Sequence, residues 1–250
     1  MNPCCRLPGN NKGPRKRGLF VAEAPSAPTR RACLSLLASG LWAASSGAHA
    51  SSFEDFFRAI AADNPQTLQA LANRGFDLNT RNELLEPPLV IALRLDALKV
   101  VDFLLTRPDV DVEARNAKDE SPLMIAALKG RLAQCEALIK RKAHVNKTGW
   151  TPLHYAATHP GEGAPALVKL MLDHHAYIDA ASPNGSTPLM LAAMYGNRQV
   201  VAQLLDAGAD ATLKNEQGLT ALGFAHRAGR PAEADRIAQH IRGSAPKGRW

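Results

Sequence analysis

Residues Gly149–Ala157 read GWTPLHYAA, and the physics of this stretch decides the fold. Pro152 has no N–H to satisfy and its φ is fixed near the helical value, so it suits the first position of a helix. Thr151 before it can cap an orphan amide of the first turn. Leu153 is set to face a core. His154 carries two ring nitrogens with which to bridge backbone groups of its own segment and of a neighbour. Ala156 and Ala157 are small enough for a second helix to pack close. Gly149 supplies positive φ at the tip of the preceding turn.

Near-copies recur outward in both directions. Pro88, Pro122, Pro152 and Pro188 are separated by 34, 30 and 36 residues, and Ala221 lies 33 beyond Pro188. The copy at Thr187-Pro188-Leu189 repeats three signature residues. Counting 33 back from Pro88 lands on Asp55, where Phe56 and Ala59 match Leu89 and Ala92. Each copy leads into a second apolar run at helical spacing, as in Lys99–Val112, Leu167–Asp179 and Gln199–Thr212. Gly208 sits just past the end of one such run, where a helix-terminating glycine belongs. A period near 33 built on Thr-Pro-Leu-His resembles the ankyrin repeat. That resemblance implies an all-α repeat solenoid of about six helix–turn–helix units with β-turn or hairpin fingers. The units fall at roughly 51–81, 82–115, 116–145, 146–181, 182–214 and 215–242, with a flexible tail at 243–250.

The departures from the pattern are local. The turn before Trp150 is three residues short, and His159–Pro165 makes the link between the two helices of the fourth unit three residues long. Two prolines and two glycines exclude continuous helix there, so the link should protrude. The first unit opens with Phe53-Glu54-Asp55-Phe56-Phe57, and the last replaces Pro and His by Ala221 and Gly223. Terminal repeats lack a neighbour on one side and are atypical caps. The second unit, with Pro87-Pro88-Leu89-Val90, loses both Thr and His, so its turn should be held less tightly.

Charge separates the leader from the body. Seven of the 30 basic residues and one of the 23 acidic ones precede residue 51, leaving 23 and 22 for the remainder. The formal charge of +7 therefore belongs to the leader, and a nearly neutral body argues against phosphate-driven nucleic-acid binding. Residues 1–31 are rich in Pro, Gly, Lys and Arg. Cys33–Ala44 is apolar, and Ala48-His49-Ala50 is a small-x-small site. Together they describe a signal peptide over residues 1–50, too short in its apolar run to span a membrane. Arg30-Arg31 followed by Leu34 resembles a twin-arginine signal. The missing aromatic at Cys33 and the missing Lys at Ser35 leave the export route open. The expected setting is the bacterial periplasm, with secretion as the alternative and no membrane insertion once the leader is removed. Only Cys135 remains in the body, so no disulfide and no cysteine zinc site can form there. It aligns with Val201 and reads as a small buried hydrophobe.

No catalytic constellation is present, and the chain does not read as an enzyme. His174-His175 point different ways at a helix end, and His175 occupies the slot of Gly208, so no metal is expected. His159, His226 and His240 lie in different units. Phosphate-binding loops, nucleophile elbows and H-E-x-x-H are missing, and no cofactor is implied. In ankyrin stacks the turn tips and first helices form a binding groove, and register places candidates for it here. They are Arg94 in the second unit, Glu120, Leu128 and Lys129 in the third, and Trp150 and His159 in the fourth. Met194 and Tyr195 follow in the fifth and Arg227 in the sixth. Trp150, Met194 and Tyr195 stand out because aromatics and Met dominate hot spots. Pro88, Pro122, Thr151, Pro152, Leu153, His154, Thr187, Pro188 and Leu189 are scaffold. The resemblance implies a non-catalytic scaffold or modulator, monomeric by itself, that binds another protein. An exported effector acting on a host protein is one alternative. A cytosolic nucleic-acid-associated protein retaining its basic arm is the other.

Overall fold

The computed structural model describes residues 44–244, with side chains from 51 onward. The chain divides into two bodies, 1–46 and 47–250, and the repeats belong to the second. Apart from the start of the first helix, the leader lies outside the described residues. That helix, α1, covers Ala44–Ala61 and runs through Ala48-His49-Ala50.

Twelve helices in six consecutive pairs make up the described residues, with no strand among them. They are α1 with α2 (Pro65–Asn73), α3 (Pro88–Arg94) with α4 (Leu98–Thr106), and α5 (Pro122–Leu128) with α6 (Leu132–Lys140). Then come α7 (Pro152–Thr158) with α8 (Ala164–Asp173), α9 (Pro188–Tyr195) with α10 (Arg198–Asp206), and α11 (Ala221–Arg227) with α12 (Pro231–Ser244). First helices α3, α5, α7, α9 and α11 pack in chain order, and second helices stack behind them. The last helix reaches Ser244, two residues past the sequence boundary.

The first helices start where the prolines predicted. Ser121, Thr187 and Thr220 each cap with a hydroxyl that accepts from the amide three residues on. Pro87, which replaces the Thr in the second repeat, makes no side-chain cap bond. Fully buried side chains run the length of the stack, from Phe56, Ile60 and Leu71 through Leu89, Leu123 and Leu153 to Leu189 and Ile237. The first pair is therefore a true repeat despite its lost signature. Cys135 is buried in this core, and desolvation pushes its thiol up to about 12.

Each full finger is a short turn closed like a hairpin tip. Asn82, Asn116, Ser182 and Asn215 open it, and their amides donate to the carbonyls of Glu86, Glu120, Ser186 and Leu219. Asn82 and Asn116 also accept from two amides of their own finger, as Asn215 does, so the second repeat's finger is closed as firmly as the others. The position three before each helix start is left-handed: Leu85, Asp119, Gly149, Gly185 and Gly218 all have positive φ. The expectation for Gly149 holds. Leu85 is the costly member of the series, since a side chain in this region is strained by roughly 1–2 kcal/mol.

A second ladder ties successive repeats together. Asn79, Glu113, Asn146 and Asp179 stand 33 or 34 residues apart. Their side chains accept from the amides of Asp111, His144, Tyr177 and Asp210 in the next repeat, at 2.7–3.1 Å. Arg141 and Arg230 reach back one repeat and donate to carbonyls at the ends of α4 and α9, and Arg141 also to the Val110 carbonyl beyond α4. The inserted link of the fourth repeat is clamped rather than free. His159 Nδ1 lies 3.2 Å from the Leu128 carbonyl on one side, and Asn197 donates to the Gly161 carbonyl on the other.

Candidate functional site

The fourth repeat positions the site. Its turn lacks three residues relative to the fingers on either side. Lys147 spans the gap: its side chain is only 8% exposed and its ammonium pairs with Asp119 of the preceding finger. The carboxyl of Asp119 is held below its ordinary value chiefly by that hydrogen bond, with Arg115 adding to it. On the other side Gly149 packs against Pro183 of the next finger. A depression of about 440 Å³ remains beside Lys147, Thr148 and Tyr177.

His154 stands at the start of α7 with no solvent exposure. Its Nδ1 faces both the amide and the hydroxyl of Thr151, at 3.1 and 2.8 Å. The amide can only donate, so Nδ1 is the unprotonated nitrogen and Nε2–H donates to the Ser186 carbonyl at 3.0 Å. Both nitrogens are thus used, one within the repeat and one across to the next, as the sequence led us to expect. Burial outweighs the bond to Ser186 and lowers the pKa to about 4. In the neighbouring repeats Met124 and Met190 take this position, and their sulfurs face the Ser121 and Thr187 amides at 3.4 Å. A thioether cannot donate onward, so only His154 makes the inter-repeat bridge.

Above His154 lies a pocket of about 240 Å³ on the face formed by the first helices. Trp150 meets the imidazole edge-on, with ring centroids 5.4 Å apart. Tyr155 and Thr158 from α7, Leu128 from α5, and Leu191 and Tyr195 from α9 complete the lining. The Thr158 hydroxyl donates to the Tyr155 carbonyl at 2.7 Å. The Tyr155 hydroxyl donates to Glu120 at 3.0 Å. Burial and the adjacent carboxylate push that phenol far above its ordinary range. The walls are therefore apolar, and the polar atoms of His154, Tyr155 and Thr158 already have partners within the chain.

The sequence candidates fall into three groups. Trp150, Leu128 and Tyr195 converge on the pocket. Arg94, Glu120 and Lys129 are drawn into pairs between repeats. Arg94 joins Glu86 to Glu120, whose other partners are Asn116 and Tyr155. Lys129 and Arg131 both donate to Asp96. Burial pushes the Asp96 carboxyl up, but those two bonds outweigh it and hold it below the usual range. The third group lies apart. Met194 is half-buried against the core, His159 belongs to the clamp, and Arg227 is exposed on α11. Besides Leu128 (42% exposed) and Tyr195 (56%) at the pocket, Leu95 at the end of α3 and Leu84 on the second finger are exposed apolar side chains, at 54% and 71%. Sequence reading missed Tyr155 and Leu191 as lining residues, although their spacing of three and four from the signature Pro and Tyr195 could have found them. Among the described residues no His, Cys, Asp and Glu cluster could hold a metal, and no helix is long and apolar enough to cross a membrane.

Stacked helix pairs with short fingers and an apolar first-helix face define a repeat solenoid of the protein-binding class. The family model for ankyrin repeats (three copies) matches residues 89–182 and 161–240, and the chain belongs to the ankyrin-repeat family. It is similar to the ankyrin repeat protein YahD of Escherichia coli (strain K12), at 32% identity over 57% of this chain and 73% of that protein. The human transient receptor potential cation channel subfamily A member 1 is 26% identical over 69% of this chain, which spans only 16% of the channel's length. A chain from the solved structure of the Bd0816 predatory endopeptidase of Bdellovibrio bacteriovorus in complex with immunity protein Bd3460 is also similar. It has a TM-score of 0.64 and 28% identity, over 74% of this chain and 97% of its own. Ankyrin repeats carry a protein–protein interaction role, and that is the coarse function of this chain.

Proposed function

We propose that this chain is a non-catalytic binding module of the bacterial periplasm, holding a protein partner on the face built by its fingers and first helices. The observation that carries the reading is exposed apolar surface on the fingers and first helices: Leu128 and Tyr195 at the Trp150 pocket, and Leu84 and Leu95 in the second repeat. Large apolar side chains exposed on one face of a fold mark interaction sites. The inter-repeat bonds hold that surface rigid, so little freedom is lost when a partner docks. The basic start, apolar run and Ala48-His49-Ala50 site of the leader support export. The similar chain from a complex of an endopeptidase with its immunity protein supports a partner that is itself a folded protein.

Two measurements test this. A photo-reactive residue in place of Leu95 should form a discrete protein adduct in living cells, while one in place of Lys169 on the second-helix face should not. Equal adducts from both faces, or none from Leu95, sink the assignment of the face. Amino-terminal sequencing of the periplasmic fraction should find a chain beginning near Ser51. A cytosolic chain that keeps residues 1–50 overturns the location and revives the basic-arm reading, whereas recovery only from the medium favours the secreted effector.

A further inference from the structure

We infer that the pocket over His154 takes one uncharged aromatic or leucine side chain, presented by a loop of the folded protein that docks on this face. The inference rests on the binding role proposed above and names the chemistry of its centre. Three observations lead to it. The volume of about 240 Å³ falls below the roughly 300–1,000 Å³ of pockets that enclose small molecules and matches a single large side chain. The walls offer nothing to a charge, because Tyr155, Thr158 and both nitrogens of His154 already have partners inside the chain. Two donors with no hydrogen bond in the structure, Trp150 Nε1–H and the Tyr195 hydroxyl, belong to lining side chains and suit the backbone carbonyls that flank an inserted residue.

The surrounding charges point the same way. Glu86 and Glu120 are matched by Arg94, Asp96 by Lys129 and Arg131, and Asp119 by Arg115 and Lys147. A charged peptide would have to compete with these pairs for their members. An uncharged loop with an apolar tip leaves them intact. The turn before Trp150 is three residues shorter than the fingers of the third and fifth repeats, which leaves less chain beside the pocket for such a loop to pass. Central aromatic anchors ringed by satisfied polar groups are the arrangement in which buried side chains contribute most to affinity.

The test is selection of a phage-displayed random dodecapeptide library on the full chain, repeated on Tyr195→Ala and Leu128→Asp. Enriched peptides should share one Phe, Tyr, Trp or Leu within an uncharged stretch, and enrichment should fall at least tenfold on either variant. Both altered side chains are exposed, and unchanged melting of the variants keeps the comparison clean. Enrichment of charge-rich sequences, no enrichment above the naive library, or enrichment indifferent to both variants would overturn the inference. Failure here is separable from failure of the binding role. If only the pocket is misread, a photo-reactive residue at Leu95 still captures a partner in cells while one at Tyr195 does not. If the role itself is wrong, neither captures anything.

Discussion

The fourth and fifth repeats are built from the same helix pair, yet they solve the same two problems differently. In the fifth, a full finger closed by Ser182 and Ser186 precedes α9, and Met190 satisfies the cap amide from within the repeat. In the fourth, the finger is missing three residues, and His154 both satisfies the cap and reaches the carbonyl of Ser186 next door. The helix-to-helix links also differ. The fifth turns tightly at Gly196, where an added Cβ would lie 2.2 Å from the Ala157 carbonyl, while the fourth uses the longer clamped link through His159 and Gly161. The difference teaches that a repeat can lose part of its finger and still hold register, provided its remaining side chains bond across the boundary.

The largest expected effect comes from removing the fourth repeat's bridge. His154→Ala leaves a cavity and an unmet cap amide and removes one of the two donors on the Ser186 carbonyl, which keeps the Ser182 amide, and should cost about 3 kcal/mol in chemical denaturation. Met190→Ala at the matching site of the fifth repeat breaks no inter-repeat bond and should cost less. Acid should expose the same asymmetry. The folded-state pKa of His154, about 4, lies below its ordinary 6.5, so the unfolded chain takes up the proton first. This contribution to stability is complete above pH 6.5 and is lost as the pH falls through 4, to a total of about 3 kcal/mol. A His154→Met variant, made like its neighbours, should lose this part of the pH dependence; an unchanged acid profile would assign it to other groups.

Gly196→Ala should cost about 2 kcal/mol, because the new methyl meets backbone carbonyl rather than a movable side chain. The same change at Gly163 in the link of the fourth repeat, where nothing lies within 4 Å, should be close to neutral. A loss at both would deny that the two links differ. Smaller again is His175→Gly: His175 has φ of 60°, and glycine there should raise stability by about 0.5–1 kcal/mol. Smallest is Tyr195→Ala, expected within about 0.5 kcal/mol of the parent in melting while weakening partner capture. A large loss of stability would instead place Tyr195 in the core with Met194.

Much of this architecture was legible in the sequence because the repeat writes its own register. Pro88, Pro122, Pro152 and Pro188 located four helix starts, and aligning Asp55 with them found the first pair even without the motif. The slot of His175 was readable from Gly208, and both indeed adopt left-handed backbone. What stayed hidden depends on partners 31 to 38 residues away. Nothing local distinguishes Arg141 and Arg230, which cap the preceding repeat, from Arg227, which does not. Local pattern could not tell that Met194 turns toward the core while Tyr195 turns out, nor that the exposed Pro–Gly link would be clamped on both sides. Most of the candidate site was visible in the sequence; Tyr155 and Leu191, two of its seven lining residues, are ordinary scaffold residues that local pattern does not mark.

The ladder of Asn79, Glu113, Asn146 and Asp179 has one more consequence. Each rung joins a repeat only to the one after it, so the array behaves as a row of couplings with no shortcut between distant members. Such a row melts from its ends, and a fault in the middle divides it into two shorter rows that no longer report on each other. Asn146 is the rung at that midpoint. Its loss would weaken that boundary without severing it, since Lys147–Asp119, Tyr155–Glu120 and His159–Leu128 also cross there, so the amides of α3 should exchange less in step with those of α11.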